Sequence, residues 1–216
     1  MNGKLITDID LIAALETHRD RKALATLVCK WNQPRERFSQ VLLNNEGNIT
    51  GFGPFPNPND QSNDVPVMFT GIQILEPEIF EFIPPGVFSH STTDVYPRAI
   101  AEGRIIAAHI SSGSWYELST LERYLGISLE FLARSGKDLV CGAGTQIDNG
   151  AKVAESILWE RVQVKAGARL HQVIVGDDVV VPPDADYQRV VIMRKDRCDE
   201  IERGEIVGEN LIVPIL

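Results

Sequence analysis

Cysteine is scarce and odd in number. The 216 residues hold three, Cys29, Cys141 and Cys198, far apart in the chain. That excludes a disulfide framework and points to a reducing compartment, with the cytoplasm as the expected location. Long apolar runs are missing as well. None reaches the ~18 residues of a membrane span, and Asp8 and Asp10 interrupt the only early apolar run, so no signal peptide is expected. Positive charge is in deficit: 21 Lys and Arg stand against 30 Asp and Glu, a net −9. This argues against a nucleic-acid partner, because phosphate contacts need a basic face. Glycine-rich loops, whose backbone N–H groups cradle phosphate, are also wanting. Gly51-Phe52-Gly53 and Gly142-Ala143-Gly144 are the only G-x-G pairs.

What remains is an ordinary globular mix, 44% hydrophobic and 24% charged, long enough for one or two domains. Thr7 and Asp10 fit a capping box, followed by Leu11, Ala14, Leu15 and His18 on one helical face. Asp8 and Asp10 read as first-turn carboxylates favoured by the helix dipole. Residues 23–29 form a strand apolar enough to be buried on both sides. Residues 40–43 and 49–52 make a hairpin about the turn Asn45–Asn48. Gly53 to Val65, with Pro54, Pro56 and Pro58, is a loop. A strand over 66–75, a short helix over 77–83, a helix opened by Ser91 and Asp94 and stopped at Gly103, and a strand over 104–110 follow. This alternation suits an α/β layer. His90 and His109 flank the region, and a lone histidine is ordinarily structural.

The stretch from Gly113 to Leu132 organises the rest. A strand ends near Glu117, and Ser119 with Glu122 fits a second capping box before a helix with Leu121, Leu125 and Leu132 on one face. Glu117 therefore sits at the C-terminal end of a strand, the edge where open α/β sheets bind ligands. Trp115, Glu117, Ser119, Thr120, Leu121, Glu122 and Tyr124 follow the order of the Trp-x-Asp-x-Gly-Thr-Pro-Glu-x-Tyr motif. In this the chain resembles the sugar-phosphate nucleotidyltransferases, most of all the mannose-1-phosphate guanylyltransferases. Glu117 replaces the Asp that helps hold Mg²⁺, and Ser119 replaces the Gly. Met68-Phe69-Thr70-Gly71-Ile72 contains the family's Phe-Thr-Gly-Ile, where backbone approaches the sugar and glycine permits the approach. The alternative for Gly71 is a plain glycine bulge. Asn2-Gly3-Lys4 with Thr7-Asp8-Ile9-Asp10 matches another motif, but Lys4 stands where the family has its other metal-binding Asp. A lysine ammonium has no lone pair for magnesium.

The resemblance implies sugar 1-phosphate and nucleoside triphosphate as substrates and Mg²⁺ as cofactor. Phe69, Thr70, Gly71 and Trp115 would line the sugar, and Glu117 would hold the metal. The family's glycine-rich, Arg-containing loop has no counterpart in these residues. A fragment, a misplaced start or a degenerate relative would each explain that. A homo-oligomer, or a partner supplying the missing half, is expected, and the chain alone is expected to be inactive. A non-catalytic regulatory subunit is the alternative.

From Ile147 the texture changes. Ile147, Val164 and Val181 recur at an offset of 17, as do Ala151, Ala168 and Ala185; Val153, Leu170 and Tyr187; and Ile157, Ile174 and Val191. A fixed register of this kind marks a solenoid, here a left-handed parallel β-helix of the hexapeptide type. The expected fold class is thus α/β: a partial Rossmann-like, GT-A-like nucleotidyltransferase domain over residues 1–136, a short β-helix over 137–192, and a tail over 193–216 that caps it. A hexapeptide acyltransferase is a remote alternative, for which His171 is the only histidine in the repeat.

Overall fold

The computed structural model describes residues 1–55, 64–198 and 203–216. The middle of the proline-rich loop expected over 53–65 lies outside the described residues. Two compact units divide the chain, Met1–Tyr116 and Glu117–Leu216.

The first unit opens with β1 (Leu5–Thr7) and α1 (Leu11–Arg21). Asp10 alone caps α1, its Oδ1 accepting from the amides of Ile12 at 2.9 Å and Ala13 at 3.0 Å. Thr7 is not the cap. Its hydroxyl accepts from Ile9 N and donates to Ser114 O at 2.7 Å. Asp8 does not serve the helix dipole either, since its Oδ1 accepts the Ser114 amide at 2.5 Å. The helix ends at Lys22 in the left-handed region, φ 48°.

Next come β2 (Ala25–Trp31), β3 (Gln40–Leu43), β4 (Ile49–Gly53) and β5 (Val67–Leu75). A 3₁₀ turn (Pro77–Phe82), a π turn (Ser91–Val95), α2 (Tyr96–Ala101), β6 (Ile106–Ile110) and β7 (Trp115–Glu117) follow. The helix expected from Ser91 therefore begins as a π turn, with Asp94 accepting the His90 amide at 2.8 Å. The sheet order is β4-β3-β5-β2-β6; β2 and β6 run parallel and the other pairs antiparallel. Alternation along β2 serves two cores. Ala25, Leu27 and Cys29 join Ile79, Phe82, Tyr96 and Ala99 on one face. Val28 joins Ile9, Ala14 and Ile72 on the other, under α1. The β3–β4 turn closes against the outer strand, with Ala108 N donating to Gly47 O at 3.2 Å and Arg21 bonding Asn48 Oδ1 at 3.1 Å. An otherwise bare strand edge is thereby covered.

The second unit starts with α3 (Leu121–Arg134). Its cap is Thr120, one residue later than the Ser119 expected, with Oγ1 accepting the Arg123 amide at 3.1 Å. Glu122 reaches Arg189 at 3.3 Å instead of closing a capping box. Leu121, Leu125 and Leu129 pack with Ile157, Ile174 and Val191, outward residues of the repeat.

The repeat is a left-handed β-helix of about three coils. Its strands are β8 (Leu139–Cys141), β9 (Gln146–Ile147), β10 (Lys152–Ala154), β11 (Ser156–Leu158), β12 (Gln163–Val164) and β13 (Arg169–His171). They continue as β14 (Ile174–Val175), β15 (Val180–Val181), β16 (Asp186–Gln188) and β17 (Val190–Arg194). Parallel pairing puts Ile147, Val164 and Val181 in register, and likewise Val153, Leu170 and Tyr187, and Ile157, Ile174 and Val191. Positive φ recurs at Gly144, Gly150 and Glu155, then at Arg161, Gly167 and Gln172, then at Asp178, Asp184 and Arg189. Corners at 144, 150, 155 and 161 are spaced by 6, 5 and 6 residues, which sum to the period of 17. One side of each coil is thus a residue shorter than a hexapeptide.

After β17, β18 (Glu205–Val207) and β19 (Asn210–Pro214) fold back antiparallel on the last coil. Asn210 Nδ2 bonds Val180 O at 2.9 Å, closing that end of the solenoid.

Candidate functional site

The strand β5 carries the site's defining irregularity. Val28 pairs with Ile72 and Cys29 with Phe69, so Thr70 and Gly71 form a two-residue bulge between them. Gly71 sits at φ 81°, a conformation that L side chains rarely adopt. Thr70 is fully buried; its hydroxyl donates to Val28 O at 2.8 Å and so braces the bulge from within. Its carbonyl accepts the Trp115 indole N–H at 2.9 Å. Trp115 in turn lies edge-on to Phe38, with centroids 5.6 Å apart and planes at 75°. A Cβ built on Gly71 would lie 2.8 Å from Asn2 Nδ2. The space freed by the missing side chain is occupied by a carboxamide.

Thr70, Gly71 and Trp115 are therefore brought together. Phe69 packs its ring against the core on the opposite face. Glu117 ends β7 and opens the second unit, where its carbonyl accepts from Arg123 Nε at 2.9 Å. Residues that sequence reasoning did not assign to the site are Asn2 and Phe38, along with Lys30, whose ammonium donates to Gly113 O. Lys30 and Asp8 hold the loop leading into Trp115 from two sides. Asn2 had a signal, being part of the matched Asn-Gly pair. Phe38 had none, since it meets Trp115 only through the fold.

Among the described residues no group of three or more His, Cys, Asp and Glu side chains could hold a metal ion. With Glu117 as the single carboxylate expected from the sequence, substrate phosphates and water would have to complete a Mg²⁺ shell. Nucleophilic alternatives are poor. Burial pushes the Cys29 thiol up to about 12, so it stays protonated at neutral pH. His171 lies exposed on β13, 3.5 Å from Glu155.

His109, on β6, has a defined role. Thr17 Oγ1 donates to Ala13 O at 3.1 Å and meets His109 Nδ1 at 2.8 Å, which places the imidazole proton on Nδ1. Desolvation lowers its pKa, partly opposed by Asp10. A histidine depressed in the fold contributes stability that is complete above its unfolded pKa of about 6.5. That contribution is lost as pH falls from there through the lower folded value. The imidazole signals of His109 should accordingly titrate below about 6.5 by NMR. The acid-side slope of the stability curve should flatten in His109→Gln; an unshifted titration would refute the partly desolvated neutral state.

Comparison with known proteins agrees with this layout. A nucleotidyl transferase family model matches residues 1–134, and a GlmU-like C-terminal hexapeptide model matches residues 134–212. A UTP–glucose-1-phosphate uridylyltransferase of Synechocystis is 25% identical over 168 residues, covering 76% of this chain and 42% of the relative. A glucose-1-phosphate adenylyltransferase of Desulfitobacterium hafniense is 20% identical over 264 residues, covering 99% and 65%. A mannose-1-phosphate guanylyltransferase of Mycobacterium tuberculosis is 23% identical over 197 residues, covering 77% and 53%. The chain thus spans between 42% and 65% of the length of these relatives. No helix among the described residues is long and apolar enough to cross a membrane. With its first 134 residues matched as one domain and a hexapeptide solenoid behind them, the chain belongs to the nucleotidyl transferase family.

Proposed function

We propose that this chain forms the sugar 1-phosphate side of a nucleotide-sugar pyrophosphorylase. The Thr70–Gly71 bulge carries the reading: Thr70 is buried and Gly71 half-buried, and the bulge is braced by Thr70 and Trp115 and topped by the Asn2 carboxamide. A glycine backbone beside a primary amide offers donors and acceptors suited to sugar hydroxyls. In the reaction a phosphate oxygen of the sugar 1-phosphate attacks the α-phosphorus of a nucleoside triphosphate. The new P–O bond forms as the bond to the β-phosphate breaks, and pyrophosphate leaves with the electron pair. Gly71, Asn2 and Trp115 would orient the sugar. Glu117 is the carboxylate we assign to Mg²⁺, which when bound neutralises charge on the phosphates. The guanylyltransferase resemblance points to mannose 1-phosphate and GTP, and three free cysteines suit a cytoplasmic setting.

These 216 residues hold no glycine-rich phosphate loop. By themselves they are expected to bind sugar 1-phosphate without turning it over. Lys4, in place of a metal carboxylate, favours a second reading, a non-catalytic subunit that acts beside a complete enzyme. The test is calorimetry of the purified chain with mannose and glucose 1-phosphate, beside pyrophosphate release with each nucleoside triphosphate and Mg²⁺. Saturable binding that weakens at least about tenfold in Gly71→Val, with no pyrophosphate released, is the expected result. Absence of sugar phosphate binding would overturn the assignment. Turnover that disappears in Glu117→Ala would overturn the inactivity and leave the sugar site standing.

A further inference from the structure

One outward ladder of the solenoid is built differently from the rest. Gly142, Trp159 and Gly176 donate their amides to Leu158 O, Val175 O and Ile192 O, so with Met193 they occupy equivalent places in successive coils. The ladder reads small, large, small, large. The two glycines are not alike. A Cβ on Gly142 would lie 2.6 Å from the Trp159 carbonyl carbon, so the backbone demands glycine there. At Gly176 the nearest atoms are Ile192 O at 3.6 Å and Met193 Cβ at 3.7 Å, ordinary contact distances, and φ is not positive. Neither conformation nor packing requires a glycine at 176. What its missing side chain does is leave a notch between an indole and a thioether.

That notch is the floor of a groove of about 720 Å³ within the second unit, walled by Leu121 and Ile215 as well. Trp159 is 45% exposed, unusual for an indole beside a buried ladder. The volume falls in the range of small-molecule sites, which pair apolar walls with a few placed polar groups. Two charged side chains border it, Glu122 and Arg203. Glu122 is held by Arg189 at 3.3 Å. Arg203 has no ion pair among the described residues, and it is the positively charged side chain on the groove's lining.

We propose that this groove binds a planar ring compound carrying one anionic group. The ring lies over Gly176 between the Trp159 indole and the Met193 sulfur, both favourable partners for a π face, and the anion lies at Arg203. The site is separate from the Thr70–Gly71 bulge and independent of the reading given to it.

The experiment is a titration of the full chain with 2-naphthoate and with uncharged 2-naphthalenemethanol, followed through the three indole N–H signals by NMR. Naphthoate should shift the Trp159 indole saturably and leave Trp31 and Trp115 in place. The neutral compound should bind about tenfold more weakly, and Arg203→Gln should bring naphthoate to the same level. Gly176→Leu fills the notch and should abolish the shift. Met193→Ala, which widens the notch and removes one wall, should weaken binding and decides the matter if Gly176→Leu disturbs the solenoid's spectrum. An unmoved Trp159 signal, or naphthoate affinity unchanged in both variants, would overturn the site.

Discussion

Gly142→Ala is expected to cost the solenoid about 3 kcal/mol, the upper end of what overpacking does, while Gly176→Ala should change stability by less than about 0.5 kcal/mol. Both are single-methyl additions at the same rung position, two coils apart. At Gly142 the methyl would meet backbone: Trp159 C at 2.6 Å, Trp159 O at 2.7 Å and Glu160 N at 2.8 Å. Backbone cannot rotate away, and moving it breaks the Gly142 N to Leu158 O hydrogen bond of 2.8 Å that fixes the first coil to the second. At Gly176 the contacts begin at 3.6 Å. Gly167→Ala belongs between them. Its methyl would fall 2.0 Å from Asp184 Oδ1, a movable side-chain atom. Yet φ at Gly167 is 79°, so a left-handed penalty of roughly 1–2 kcal/mol stays. Urea unfolding followed by far-UV circular dichroism gives the order. Equal midpoints for Gly142→Ala and wild type would mean that the first coil relaxes and carries little of the solenoid's stability.

The solenoid was legible because its signal repeats. Ile147, Val164 and Val181 pair as their 17-residue offset requires, since each coil repeats the last. The unequal sides were hidden. Corners at Glu155, Arg161, Gln172, Asp178, Asp184 and Arg189 use ordinary residues at positive φ, where a sequence pattern expects glycine or asparagine. Helix ends slipped for a local reason. Ser119 and Thr120 are both competent caps, and adjacent hydroxyls are not separated by propensity alone. Thr120 is the residue that caps the helix at 3.1 Å. Asp8 and Asp10 looked equivalent two residues apart. Only the fold brings Ser114 to Asp8, a contact 106 residues distant in sequence. At the candidate site, the glycine of Thr70-Gly71-Ile72 was visible. The brace that makes it a bulge was not, since it joins residues 42 and 45 positions apart. Motif residues can be read one by one from a chain, whereas the groups that hold them in place come from elsewhere in the fold.

That brace leads to the second large effect, at Trp115. Its indole contributes an N–H to the Thr70 carbonyl at 2.9 Å, an edge-on contact to Phe38, and apolar surface beside the cluster of Ile9, Ala14, Val28 and Ile72. Trp115→Phe removes the first and largely keeps the others. Thr70 has no exposed surface, so its carbonyl loses its partner without gaining water, a loss of about 1–3 kcal/mol. Trp115→Ala removes all three. Tryptophan to alanine in a core costs about 3–5 kcal/mol, and the partial exposure of Trp115 places this change toward the lower figure. The two variants separate packing from positioning. If the indole N–H holds the bulge, Trp115→Phe should weaken sugar 1-phosphate binding about as much as Trp115→Ala does, although it unfolds at distinctly higher urea. Phe38→Leu, which loosens the ring contact and leaves the N–H in place, should lower stability with little effect on affinity. Affinity that instead follows stability through all three variants would show that Trp115 is a core residue and that the bulge keeps its shape through Thr70 alone.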